Sequence, residues 1–249
     1  MLKTIAITGL SAMALVVPTA VAFARREPVK PAPIHRKAAE KAATAAPPVE
    51  LEAEAPPSPF ASLPSVRIAS LGTGESLSIR LYDEAGNVDP ESAGKLDALL
   101  VDARDPDHVE QTELDRRTLK LLFRAAYHFN AKQVEVVSAY RKPGRRREGL
   151  HGQGRAIDFK LPGVKPAALA AYLRTLPRVG VGVYTHPRTQ FVHLDSRDRS
   201  FHWLDASPPG RHWRERSLPD SKLAARDASY RENMDWPESC AAYRPVATR

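Results

Sequence analysis

Three residues in this chain have the types and spacing to hold a metal ion for hydrolysis: His151, Asp158 and His193. His151 and Asp158 stand seven residues apart in the stretch SAYRKPGRRREGLHGQGRAIDF (138–159), with Gly152 and Gly154 between them. His193 belongs to a second short segment, Gln190-Phe191-Val192-His193-Leu194-Asp195. A hydrolytic zinc site takes three protein ligands from His, Asp, Glu or Cys and keeps a further position open for water. Two neutral imidazoles and one carboxylate leave Zn2+ with net positive charge, which suits a Lewis acid for amide hydrolysis. Taken singly, each residue has a plainer reading, as a structural histidine or a solvated carboxylate. Their conjunction with an upstream Ser-x-Tyr-Arg and with apolar neighbours of His193 carries the metal reading.

The elements that must position them follow from periodicity. Runs at 66–71 and 76–82 read as a β-hairpin about Gly72-Thr73-Gly74-Glu75. Asp89 and Pro90 open a helix reaching Val101, the aspartate as N-cap and the proline at the first position. Thr112 is the expected cap of a second helix over 113–129, with Leu114, Leu121, Leu122 and Ala125 on one face. Residues 133–138 (QVEVVS) alternate as a strand, 156–159 enter another with Asp158 facing the site, and 164–176 read as a short helix. Residues 179–184 and 190–195 read as a strand pair joined by the turn 185–189. His193 and Asp195, two apart, then project from one face.

Composition places this domain between dissimilar flanks. Lys3, the apolar run 5–17 and Ala22-Phe23-Ala24 form an export signal over residues 1–24, or an anchor if uncleaved, the one membrane contact expected. Residues 25–65, rich in Ala, Pro, Lys and Glu, read as a disordered tether. The zinc domain is expected over 66–205, and 206–249 as a C-terminal extension that Trp213 and Trp236 pin in place. Cys240 is the only cysteine, so neither an intramolecular disulfide nor a thiolate metal site is possible. A net charge of +8 suits an anionic surround. No basic, aromatic-interleaved module points to nucleic acid, and with an export signal the expected surround is the cell envelope or periplasm.

The motifs resemble those of the zinc D-Ala-D-Ala carboxypeptidases and murein endopeptidases, whose hallmark is Ser-x-His-x2-Gly-x-Ala-x-Asp followed by a later histidine. They are more similar to the exported branch carrying SGYRSP, LHLQGQAID and GVGYYPRSxFVHVD. The counterparts here are SAYRKP (138–143), LHGQGRAID (150–158), GVGVY (180–184) and FVHLD (191–195), and SLGTGESLSIRLYD resembles the branch's N-terminal hairpin. The likeness spans roughly 66–205. It implies an α+β domain of the hedgehog-like type, with a small antiparallel sheet bearing one zinc and flanked by helices. It implies His151, Asp158 and His193 as the ligands and Arg141 beside the substrate, where it stabilises developing negative charge or holds a carboxylate. The structural alternative for Arg141 is a salt bridge that holds the loop.

The departures from the pattern bear on mechanism. Gly149 stands where the family's first motif has Ser, and the loop 142–150 is short and basic relative to the branch. Gln190 occupies the position of a glutamate base in many relatives, and a neutral amide cannot accept the proton. Asp195 is the preferred alternative, as base or as the carboxylate that fixes a histidine tautomer. Glu148 and His186 are possible substitutes, and His202 is a possible contact to substrate or ligand. The expected activity is hydrolysis of peptidoglycan peptides, with the endopeptidase and D,D-carboxypeptidase types both open. The Arg145-Arg146-Arg147 run would draw acidic stem peptides. A tethered module that binds wall peptide without cutting it is the rival from another class.

Overall fold

The computed structural model describes residues 57–105, 113–142, 149–211, 213 and 215–243. The expected export signal, most of the tether, Thr112, Arg145–Arg147 and Glu148 lie outside them. Among the described residues no helix is long and apolar enough to cross a membrane.

Chain order is β1 (Val66–Ser70), β2 (Ser76–Ile79), α1 (Pro90–Leu99), α2 (Arg116–His128), β3 (Gln133–Ser138), β4 (Ala156–Lys160), α3 (Pro166–Leu173), β5 (Val179–Tyr184), β6 (Val192–Ser196), β7 (Phe201–Asp205), β8 (Arg216–Ser217) and α4 (Leu223–Ala228). The helix starts are chemical. Asp89 accepts the Ser92 N–H at 2.8 Å and Pro90 fills the first position of α1. Asp115, not Thr112, caps α2: its carboxylate takes the Thr118 N–H at 2.9 Å. Pro166 sets the first residue of α3, two positions after the expected start.

The domain is α+β as expected, but the sheet is neither small nor wholly antiparallel. Its eight strands run in the order β2-β1-β3-β4-β6-β5-β7-β8, and β1/β3 and β5/β7 pair in parallel. Connectivity explains both exceptions. The crossover through α1 and α2 returns the chain beside β1 in the same direction, as a helical connection does. β6 and β7 flank β5 and are joined only by residues 197–200, so β7 must run along β5. The four central strands, β3-β4-β6-β5, are antiparallel to one another. They carry the candidate site.

The apolar face of α2 (Leu119, Leu122, Phe123, Ala126) is fully buried in the core beneath the sheet. That core starts before Val66. Phe60 is 1% exposed and packs edge-on against Trp236 and Tyr243, centroids 5.1 and 5.6 Å away. The C-terminal segment thus closes onto the N-terminal one, with Cys240 buried and inert beside them. Trp236 pins the extension as expected, whereas Trp213 is 59% exposed. Phe60→Ala is expected to cost about 3–5 kcal/mol, the range for emptying a buried aromatic site. Urea unfolding measures this directly, and a loss below about 1 kcal/mol would place Phe60 outside the cooperative unit.

Candidate metal centre

The strand register assembles the site. Ser138 of β3 pairs with Asp158 of β4, Asp158 with His193 of β6, His193 with Gly182 of β5, and Gly182 with Trp203 of β7. Paired residues share a face, so this row crosses five strands on one side of the sheet. One step along, Asp195 pairs with Gly180, and Gly180 with Phe201. His151 reaches the row from a single 3-10 turn, His151–Gln153. Gly154 ends that turn at φ +67°, and any side chain there would meet the Glu113 carbonyl. The Arg141 N–H donates to the His151 carbonyl at 3.3 Å, tying the two motif loops together.

His151, Asp158 and His193 are brought together as expected, with one ligand atom from each lying within 4.8 Å of the others. All three are buried. His151 Nδ1–H donates to the Ala139 carbonyl at 2.7 Å, which leaves Nε2 without a proton and aimed inward. His193 Nε2–H donates to Asp195 Oδ2 at 3.0 Å, leaving Nδ1 inward. The two inward nitrogens are 3.2 Å apart, and Asp158 Oδ1 lies 2.9 Å from His193 Nδ1 and 3.5 Å from His151 Nε2.

Two lone pairs and a carboxylate oxygen facing one another repel unless a cation lies between them. The donor set, two imidazoles and a carboxylate, is one that zinc takes. Without metal, a proton does the cation's work. Burial disfavours the charged form of His193, but hydrogen bonds and charge from Asp158 and Asp195 override it and push its pKa up to about 9. Burial likewise opposes ionisation of Asp158, and its bonds to His151 and His193 hold it well below the usual carboxylate range.

A pH dependence follows. A group whose pKa is raised on folding stabilises the fold fully below its unfolded value, here 6.5, and that contribution is lost as pH rises through about 9. The metal-free protein should therefore lose thermal stability between those values. Zinc uptake at pH 7 should release about one proton from His193. Calorimetry in buffers of differing ionisation enthalpy reads that release, and a count near zero would contradict the geometry.

Asp195 lies on the far side of His193 from the three converging atoms. It is fully buried, and Arg197 clamps it through both Nε and Nη2. Of its two expected roles, this placement supports fixing the His193 tautomer. Arg141 donates Nη2 to Asp158 Oδ2 and Nε to Ser138 Oγ at 2.8 Å, which is the salt-bridge alternative. It also borders the cleft of about 460 Å³ that opens on the three candidate ligands. Gln190 has φ +34° and lines a neighbouring hollow with Lys165 and Thr185. His186 sits in the same turn, accepting the Arg188 N–H at 3.2 Å, and is absent from the cleft lining. His202 faces the opposite side of β7. Its Nδ1 accepts from Arg174 at 3.2 Å, and burial with the Arg174 and Arg226 charges lowers its pKa to about 4.

Sequence reasoning missed Tyr184, Arg197 and Trp203 as parts of this site. The GVGVY motif holds the signal for two of them. A side chain at Gly180 would land on the Asp195 carboxylate and the Arg197 guanidinium, and one at Gly182 would land on the Trp203 indole. The glycines clear the floor on which these groups lie.

Residues 60–203 match the protein family described as peptidoglycan L,D-endopeptidase MepK. The peptidoglycan L,D-endopeptidase MepK of Escherichia coli (strain K12) is 29% identical over 183 residues, covering 66% of this chain and 91% of its own length. The probable peptidoglycan L,D-endopeptidase MepK of Haemophilus influenzae is 29% identical over 155 residues, 54% of this chain and 78% of its own. No solved structure matches the chain.

Proposed function

The chain belongs to the peptidoglycan L,D-endopeptidase MepK family, a family of metallopeptidases that hydrolyse peptidoglycan, and from that premise we propose an exported zinc enzyme that cuts an internal L,D peptide bond of the wall. The observation that carries this reading is the convergence of His151 Nε2, His193 Nδ1 and an Asp158 oxygen, each ring already tautomerised by a partner on its other nitrogen. The family favours the endopeptidase type over the carboxypeptidase type.

In this reading His151, Asp158 and His193 hold the metal. A bound zinc ion supplies Lewis acidity for the scissile carbonyl and lowers the pKa of water. The protein's part is orientation. Ala139 and Asp195 lock the two imidazoles, Arg141 and Ser138 steady the outer edge of Asp158, and Arg197 keeps Asp195 ionised and in place. Arg141 also borders the cleft, where its guanidinium would hold a substrate carboxylate or developing negative charge. Tyr184 borders the cleft, and burial with the Asp158 charge pushes its pKa up to about 12, so it remains a hydrogen-bond donor. Residues 1–24 direct export, the stretch between them and the folded domain, which begins before Phe60, supplies reach from the membrane, and the net charge of +8 favours encounter with acidic stem peptides.

Mass spectrometry of purified cross-linked muropeptides incubated with the protein and zinc tests this. New termini at an L,D bond that vanish with chelator are expected. Intact muropeptides in the presence of folded, zinc-loaded protein would sink the reading.

A further inference from the structure

Resting on the zinc reading of the site, we infer that Asp227 is a positioning residue for the metal centre: it fixes the backbone from which the Arg197 guanidinium holds Asp195 behind His193. Asp227 lies in α4, in the C-terminal extension beyond residue 203, where the family match ends. Its carboxylate accepts three hydrogen bonds from two separate segments. The Arg178 N–H donates to Oδ1 at 2.6 Å, the Ser200 N–H to Oδ2 at 2.7 Å and the Ser200 hydroxyl to Oδ1 at 2.6 Å. Residue 178 precedes β5 and residue 200 precedes β7, the two strands that pair in parallel. One carboxylate thus ties their starts together.

Arg197 is held between those tied points. It opens the connection from β6 to β7 that Ser200 closes, and its N–H donates to the Arg178 carbonyl at 3.1 Å. Ser200 Oγ also accepts the Val179 N–H at 3.1 Å, so the connection is bonded to the start of β5 at both of its ends. Arg178 has φ +54°, a left-handed conformation that a residue with a side chain keeps only when its surroundings impose it. Asp227 imposes it from the N–H side, while Arg117 Nη1 donates to the Arg178 carbonyl at 2.7 Å from the other. The Arg197 guanidinium then lies over Gly180, where any side chain would collide with it, and donates Nε and Nη2 to Asp195. Asp195 Oδ2 in turn takes the His193 Nε2–H. A bidentate guanidinium–carboxylate pair is directional, so a shift of the backbone at residue 197 turns the carboxylate on which the His193 ring rests. A carboxylate suits position 227 because all of its partners are donors. An amide there has one acceptor oxygen and sets N–H against N–H.

Zinc affinity of the full chain, by competition against a chelator, tests this in Asp227→Asn, Arg197→Gln and the double variant. Asp227→Asn should weaken zinc binding roughly three- to tenfold, less than the effect of about 10- to 100-fold typical of a group that touches a ligand directly. The double variant should bind zinc no more weakly than Arg197→Gln alone, because both changes act through the same guanidinium. In the metal-free chain, the NMR resonance of Arg197 Nε–H, assigned by its absence from Arg197→Gln, should move in Asp227→Asn. The fold is expected to survive, since the extension has other anchors: Arg226 donates to the Arg174 carbonyl at 2.8 Å, and Arg117 to Asp235 at 2.9 Å. If Asp227→Asn unfolds, Ser200→Ala, which removes only a hydroxyl, is read in its place, with weakening of roughly twofold expected. A purely structural contact would lower the urea midpoint and leave these readouts unmoved. Wild-type zinc affinity in the folded variant, or a loss that adds in full to that of Arg197→Gln, therefore overturns the inference and leaves the zinc reading standing. Failure of the unmutated chain to bind zinc overturns both, and that control distinguishes the two.

Discussion

Replacing His151 by alanine is expected to lower turnover of cross-linked muropeptides by roughly a thousandfold or more. A metal ion supplies several kcal/mol of charge stabilisation, each 1.36 kcal/mol is a factor of ten in rate, and two ligands hold zinc far less well than three. The variant should still fold. His151 sits on a single 3-10 turn at the end of a loop, and its deletion leaves Asp158 with both Arg141 and His193 as partners. Circular dichroism and elemental zinc analysis on the same sample separate loss of metal from loss of fold. A folded His151→Ala protein with wild-type turnover would remove His151 from the ligand set.

Asp195→Asn is expected to weaken zinc binding by about 10- to 100-fold, the usual effect of removing the carboxylate behind a ligating histidine. The amide can still accept from His193 Nε2–H, but it can equally turn its NH2 to the ring and invite the wrong tautomer. It also leaves the Arg197 guanidinium without its counter-charge. Gly180→Ala should reproduce much of this without touching either residue, because its methyl would land on the Asp195 carboxylate. Competition against a zinc chelator gives the affinities. If Asp195→Asn binds zinc as tightly as wild type and yet loses turnover, Asp195 acts as the base instead of the orienting group.

The parts of this account legible in the sequence were those set by short-range rules. Alternation in Gln133–Ser138 and Val179–Tyr184 predicts both strands to the residue, and Asp89 with Pro90 marks the start of α1. The three candidate ligands are legible because motif spacing is itself local. Pairing across the sheet is not local: nothing within Phe201–Asp205 tells that it will lie along β5, so the parallel pair and the placement of Trp203 beside His193 stayed hidden. The same limit applies to Asp195. Two-residue spacing puts it on the face of His193, but only the register with Gly180 and the clamp from Arg197 show which side of the ring it serves. The start of β6 was misplaced for a different reason. Gln190 adopts positive φ and ends the turn, so the strand begins at Val192. Phe60, in a stretch that composition reads as tether, is drawn into the core by aromatic partners about 180 residues further along the chain.

The most direct test of the central claim is a zinc-edge anomalous difference map from crystals of the zinc-loaded protein. One peak is expected, about 2.0–2.2 Å from His151 Nε2, His193 Nδ1 and an oxygen of Asp158. A zinc peak elsewhere, or none at these residues in protein that still cuts muropeptides, would contradict it.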